Sequence, residues 1–223
     1  MSELNLILLG PPGSGKGTQG ERLQEDLHLP YYATGDILRA AVRDGTDVGT
    51  EAKEYMDRGD LVPDDVIVGV IAERIDAQDA EDGFILDGFP RTEPQAEALD
   101  EKLGELRRVV SAAILIEVPE EEVVRRLGGR RTCPNGHIFH VEFDPPEQEG
   151  VCDVCGAELA VRDDDQPEVI RNRLAQYREK TEPLIGYYES RGLLKRVDGN
   201  QPPEEVTDRI RALVATLKME EEA

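Results

Sequence analysis

The stretch LNLILLGPPGSGKGT, Leu4 to Thr18, decides the reading of this chain. Leu4 to Leu9 is a nearly unbroken apolar run, as expected of a strand buried on both faces of a parallel sheet. GPPGSGKGT, Gly10 to Thr18, follows it, and a helix is expected to begin near Lys16. Glycines let such a loop curl so that several backbone N–H groups point inward. The helix N-terminus adds partial positive charge and Lys16 a full one. Strand, glycine-rich loop and helix together make a cradle for a polyphosphate. In the strict motif a Ser or Thr follows the lysine and its hydroxyl binds Mg²⁺. Here Gly17 holds that place and Thr18 comes one residue later, so the loop has no hydroxyl there to hold the metal directly.

Outward from this loop, Phe84 to Leu86 and Ala112 to Val118 repeat the buried-strand pattern. Between them lie helical segments. In Pro63 to Ile75, Ile67, Val70, Ile71 and Ile75 fall on one helical face. Glu93–Leu103, Glu120–Leu127, Glu168–Glu189 and the closing Pro202–Leu217 also read as helices. Alternation of this kind predicts an α/β fold, a parallel sheet flanked by helices. It breaks twice. From Thr34 to about Val62 the chain reads as short helices without a strand. From Gly128 to about Gln166 it is rich in Gly, Pro, Cys and acidic residues, with two strand-like pieces, HIFHVEF (137–143) and AELAVR (157–162). That second stretch is expected to be a small β-rich lobe inserted in the core.

Acidic residues number 48 against 26 basic ones, a net charge of −22, and they are spread along the whole chain. Such a surface repels a nucleic-acid backbone unless arginines are concentrated locally. It reads as halophile-like, because molar salt screens self-repulsion within about 3 Å; an ordinary acidic cytoplasmic protein is the alternative. No apolar stretch approaches the length of a membrane span. The N-terminus lacks a signal-peptide pattern. Three cysteines argue against a disulfide framework and for a reducing, cytoplasmic setting.

Further motifs identify a family. YYATGDILR (Tyr31–Arg39), DGFPRT (Asp87–Thr92), GRR (Gly129–Arg131), VRDDD (Val161–Asp165), IRNRL (Ile170–Leu174) and PLIGYYE (Pro183–Glu189) join the phosphate loop. Together they resemble a long-form adenylate kinase over nearly the whole chain, and Gly17 followed by Thr18 is the variant that family carries. The resemblance implies the reversible transfer Mg·ATP + AMP ⇌ 2 ADP by a monomer. It also implies a P-loop NTPase core (1–32, 63–128 and 166–223), a helical AMP-binding lobe (33–62) and a lid (129–165).

The resemblance also assigns residues. Gly13, Ser14, Gly15, Lys16, Gly17 and Thr18 would hold the ATP phosphates. Arg126 would stack on the ATP adenine, with Ile138, Phe139 and Gln201 near it. Arg39 and Arg91 would grip the AMP phosphate, and Arg130, Arg162 and Arg173 would close over the transferring group. Thr34, Asp60, Leu61, Val62, Gly88, Phe89, Pro90 and Gln95 would meet AMP. Asp87 would orient Mg²⁺ through its waters, while Asp164 and Asp165 would brace the lid arginines. Guanidinium suits these places because its planar fork donates two bonds to phosphate and keeps its charge. Arg22, Arg43, Arg58, Arg74, Arg107 and Arg108 have no motif and read as surface ion-pair residues. A pyrimidine monophosphate kinase or a GTP-dependent AMP kinase is the nearest rival; Thr34 and Gln95 favour an AMP acceptor. A zinc-ribbon nucleic-acid binder is the rival from another class, and the charge opposes it.

RRTCPNGHIFH (130–140) and CDVC (152–155) hold every cysteine and two of the three histidines. Some family members carry two zinc-binding CxxC pairs in the lid. Here the first pair is broken, since Gly136 stands three residues after Cys133. His137, one further on, restores a set of Cys133, His137, Cys152 and Cys155, fit for a structural Zn²⁺. Asn135 or His140 as fourth ligand, or an eroded site of free thiols, are the alternatives.

Overall fold

The computed structural model describes residues 3–221. Five parallel strands form the central sheet in the order β2-β3-β1-β4-β7. They are β1 (Leu4–Leu9), β2 (Tyr31–Ala33), β3 (Gly83–Asp87), β4 (Ala112–Glu117) and β7 (Leu194–Asp198). β1 lies at the centre, Leu8 against Asp87 on one side and Ile114 on the other. All six β1 residues are buried because both faces of the sheet are covered. On one face Ile7, Leu9, Phe84 and Leu86 pack with α4 (Asp64–Ile75), α5 (Glu93–Glu105) and α8 (Leu184–Glu189). On the other, Leu6, Leu8, Ile114 and Ile116 pack against α1 (Lys16–Leu27) and α9 (Pro203–Glu221). Asn5, the polar residue within β1, is fully bonded: its amide donates to Glu3 and Val109 and accepts from Arg108.

Residues 34–58 form α2 (Thr34–Arg43) and α3 (Asp47–Arg58), without a strand, as expected. After α6 (Glu120–Gly129) comes the small lobe, whose two-stranded sheet joins β5 (Arg130–Thr132) and β6 (Ile138–His140). The expected strand HIFHVEF ends at His140, because reciprocal His140–Asp144 backbone bonds turn the chain back. AELAVR contributes isolated bridges only, Glu158 to Val151 and Ala160 to Thr132.

Three further expectations are corrected. The single helix over 168–189 divides into α7 (Pro167–Gln176), a wider π turn over Tyr177–Thr181, and α8. The Glu182 N–H reaches back to Tyr177 O, and Pro183 has no N–H with which to continue the ladder. β2 and β7 were not expected as strands; they are the sheet's edges, and LKRVD carries three charged residues among five, as an edge strand can. Arg108 is no surface residue. Its side chain is 9% exposed, bonded to Glu3 and Asn5, and its guanidinium lies 5.1 Å from the centre of the Phe84 ring.

Candidate active site

The C-terminal ends of β1 and β3 open into one continuous cleft of about 2060 Å³. It runs from the phosphate loop past α2 to the small lobe, at the carboxyl edge of the sheet, where ligands bind in open α/β folds. The loop turns into α1 at Gly15, whose φ of 98° is a left-handed conformation that a side chain would strain. Lys16 Nζ donates to the carbonyls of Gly10 (2.8 Å) and Pro11 (2.9 Å), folding back over its own loop. Withdrawal from water lowers its pKa to about 8; the cations Arg91, Arg173 and Arg130 add to the fall, and Asp87 opposes it.

Arginines from five segments converge here. Arg91, after β3, donates through Nε to Gly88 O at 2.8 Å. Burial first, then its neighbours Arg173 and Arg39, bring Arg91 down to about 10, so it stays charged at neutral pH. Arg162, bonded to Thr132 Oγ1, is held at about 10 by burial and then by Arg130 and Arg39. These repulsions are balanced by two aspartates. Asp165, its side chain fully enclosed, takes a two-pronged grip from Arg130 (2.7 and 2.6 Å) and a bond from Arg173 (3.1 Å). Asp164 pairs with Arg173 at 3.1 Å and Arg39 at 3.7 Å. Burial pushes the Asp164 carboxyl up, but Arg173, Arg39, Arg130 and Arg162 outweigh it and leave it below the ordinary range.

Of the residues expected at the nucleotides, all but Phe89 line this cleft. Phe89 is buried in the core beneath it, 1% exposed. Arg126 is tied to Glu122 and to the carbonyl of Gly199, beside Gln201, whose side chain donates to Asp198. Ile138 is exposed and Phe139 buried within the small lobe. Thr34 donates toward the carbonyls of Asp87 and Gly88, and Asp60 accepts from Arg58 and Asn172.

Two residues of this region escaped the sequence reading. Tyr31 donates from its hydroxyl to Asp87 Oδ2 at 2.8 Å. Its ring lies so close to α1 that a Cβ on Gly20 would meet it at 2.2 Å, which explains glycine there. A Cβ on Gly17 would lie 3.9 Å from the same hydroxyl, so a phenol stands near where the strict motif places its Ser or Thr. Asp64, at the start of α4, accepts from Gln95 and Thr92. Their partners lie 56 and 31 residues away in sequence, and no local spacing signals such pairs.

In the small lobe, Cys133, His137, Cys152 and Cys155 form one cluster, with ligand atoms all within 4.8 Å of one another. Gly136, at φ 91°, closes a turn in which Cys133 N–H reaches His137 O, and this returns the imidazole to the thiols. His137 Nδ1 lies 3.3 Å from Cys133 Sγ and 3.4 Å from Cys152 Sγ, and Cys155 Sγ is 3.7 Å from Cys133 Sγ. Tetrahedral Zn–S and Zn–N bonds of about 2.3 and 2.0 Å give edges of roughly 3.5–3.8 Å, so the set fits that metal. His140 is occupied elsewhere: its Nδ1 accepts from the N–H groups of Glu142 and Phe143, and its ring stacks on Phe143. Burial lowers its pKa. No helix among the described residues is long and apolar enough to cross a membrane.

With this geometry in hand, comparison with known proteins gives a consistent result. Residues 8–193 match the family described as Adenylate kinase. An adenylate kinase of Archaeoglobus fulgidus is 52% identical over 216 residues, covering 96% of this chain and 100% of that protein. Adenylate kinases of Methanosarcina barkeri and Methanothrix thermoacetophila are 48% and 49% identical over 211 and 215 residues. These alignments cover 95% and 96% of this chain, and 98% and 100% of the two relatives.

Proposed function

The chain belongs to the adenylate kinase family of nucleoside monophosphate kinases, and from that premise we propose how its residues divide the work. The reaction is reversible phosphoryl transfer, ATP + AMP ⇌ 2 ADP, with Mg²⁺ accompanying ATP. One observation carries the residue assignment: a chain of net charge −22 gathers Lys16, Arg39, Arg91, Arg130, Arg162 and Arg173 into one cleft. Phosphoryl transfer asks little covalent chemistry of the protein. It asks for in-line placement, positive charge over the moving group, and exclusion of water.

In this reading the loop N–H groups and Lys16 hold the ATP phosphates; Lys16 leaves its loop carbonyls to do so. Arg39 and Arg91 hold the AMP phosphate from the acceptor side. Arg130, Arg162 and Arg173 surround the transferred group. Asp165, by gripping Arg130 and Arg173, fixes both guanidinium planes before substrate arrives, leaving N–H groups of each for phosphate oxygens. Mg²⁺ supplies charge neutralisation on the ATP phosphates. Gly17 offers no hydroxyl at that place, so Asp87, with one carboxylate oxygen held by Tyr31, is the residue that would hold Mg²⁺ through water. Residues 33–62 act as the AMP-binding lobe and 129–165 as the lid. Arg126, Ile138, Phe139 and Gln201 receive the ATP adenine, and Thr34, Asp60, Leu61, Val62, Gly88, Pro90 and Gln95 receive AMP. Phe89 supports that surface from the core.

Cys133, His137, Cys152 and Cys155 hold a structural Zn²⁺ that fixes the lobe carrying Arg130. A lobe of this size buries too little apolar surface to keep its own shape. The three cysteines form no disulfide, which accords with a reducing cytoplasm. The dispersed acidic surface accords with salt adaptation, and a thermal midpoint that rises from dilute buffer to molar salt is the expected mark of it. The protein works as a monomer. A coupled assay of ADP formation, run with a panel of nucleoside triphosphates and monophosphates, tests the assignment. ATP with AMP is expected to be the preferred pair; faster transfer to UMP or CMP would overturn it.

A further inference from the structure

Gln95 sits in the first turn of α5, 2% exposed, and lines the acceptor side of the cleft. Both ends of its amide are committed. Oε1 accepts from the Arg91 backbone N–H at 2.7 Å, and Nε2 donates to Asp64 Oδ1 at 2.6 Å. A carboxylate cannot donate and a backbone N–H cannot accept, so these partners allow one orientation of the amide. Asp64 is itself held, because its other oxygen accepts from Thr92 Oγ1 at 3.1 Å. Thr92 in turn caps α5 by accepting from the Gln95 N–H at 3.3 Å.

One N–H and one oxygen lone pair of the Gln95 amide remain, in a fixed order. From this we propose that Asp64 is a specificity-determining residue, which locks the Gln95 amide into the orientation that reads a 6-aminopurine and refuses a 6-oxopurine. The inference rests on Gln95 meeting the base of the acceptor nucleotide. Adenine presents an acceptor at N1 and a donor at N6, and one amide orientation satisfies both. Hypoxanthine reverses the two, with a donor at N1 and an acceptor at O6. A free glutamine would turn over to match it. Here that rotation sets the amide oxygen against the Asp64 carboxylate and the amide NH₂ against the Arg91 N–H. Buried polar groups left facing like groups are what make a site reject an analogue strongly. Asp64 touches no substrate in this arrangement; it acts through Gln95.

The test compares AMP with IMP as acceptors at saturating Mg·ATP. IMP differs from AMP at the purine 6-position and the N1 proton alone. Asp64→Asn is nearly isosteric and can itself pair with either amide orientation, so that the turned amide is opposed by the Arg91 N–H alone. It is expected to lower the AMP-to-IMP ratio of kcat/KM at least tenfold, chiefly by raising IMP turnover, with kcat/KM for AMP within about threefold of the parent. Asp64→Ser, which removes the carboxylate, is expected to relax the same ratio. A merely structural aspartate would lower both acceptors together and leave the ratio in place. Gln95→Leu separates the two levels of the argument. If it changes the ratio while both Asp64 variants do not, the lock is wrong and the reading of Gln95 stands. If all three leave the ratio unchanged, Gln95 does not read the base and both fall.

Discussion

The central sheet and the small lobe, both of which present residues to one cleft, are held together by different physics. Two apolar clusters of the core enclose the strands, and Leu6, Ile7, Phe84, Ile85 and Leu86 have no exposed surface. In the lobe the buried apolar cluster is Cys133, Phe139, Cys152 and Leu159, and two of those four are thiols of the metal-fitting set. Rigidity has a different source in each region. The core derives it from burial, at about 25 cal/mol per Å², and positions Lys16, Asp87 and Arg91. The lobe buries little, and the four side chains that could hold a metal stand at its centre, in the same lobe as Arg130.

Substitutions in the two regions should have unequal effects. Phe84→Ala is expected to have the largest effect, about 3–5 kcal/mol on global unfolding, read from denaturant titration. Phe139→Ala in the metal-loaded lobe is expected to shift the same transition by about 1 kcal/mol; equal losses would erase the distinction. Arg91→Ala is expected to lower kcat by about 10²–10³-fold with little change in the unfolding midpoint. A wild-type rate would remove Arg91 from the site. Lys16 gives a pH signature. Its folded pKa, about 8, lies below the ordinary lysine value, so its positive charge is lost as pH rises through 8. kcat/KM for ATP should then fall up to tenfold per pH unit above that point. The stability sign is opposite: a depressed lysine pKa costs stability below about 8, and the cost lifts as pH rises from there toward 10.5. A flat kcat/KM profile between pH 7 and 9.5 would contradict the burial assigned to Lys16.

What could be read in advance follows the same division. β1, β3 and β4 were legible because both faces are buried and each carries an apolar run, interrupted by Asn5 in β1 and ended by Asp87 and Glu117 in the other two. β2 and β7 were not, since edge strands are short and partly wet. The phosphate loop and the arginines were legible because their neighbours in sequence form recognisable motifs. Tyr31, Asp64 and Arg108 were not, because each is defined by a partner more than thirty residues away. His137 was reached by spacing, with Asn135 and His140 left open. The turn at Gly136 and the engagement of His140 with Phe143 could be seen only in three dimensions.

The dependence of the lobe on its ligands is tested most directly by amide hydrogen exchange on the full chain, before and after chelation to zero bound zinc. Peptides within 130–165 are expected to exchange at least tenfold faster without metal, while those containing 83–87 and 112–117 keep their protection. Unchanged protection of the lobe in protein proved metal-free, or loss of both regions together, would contradict that dependence.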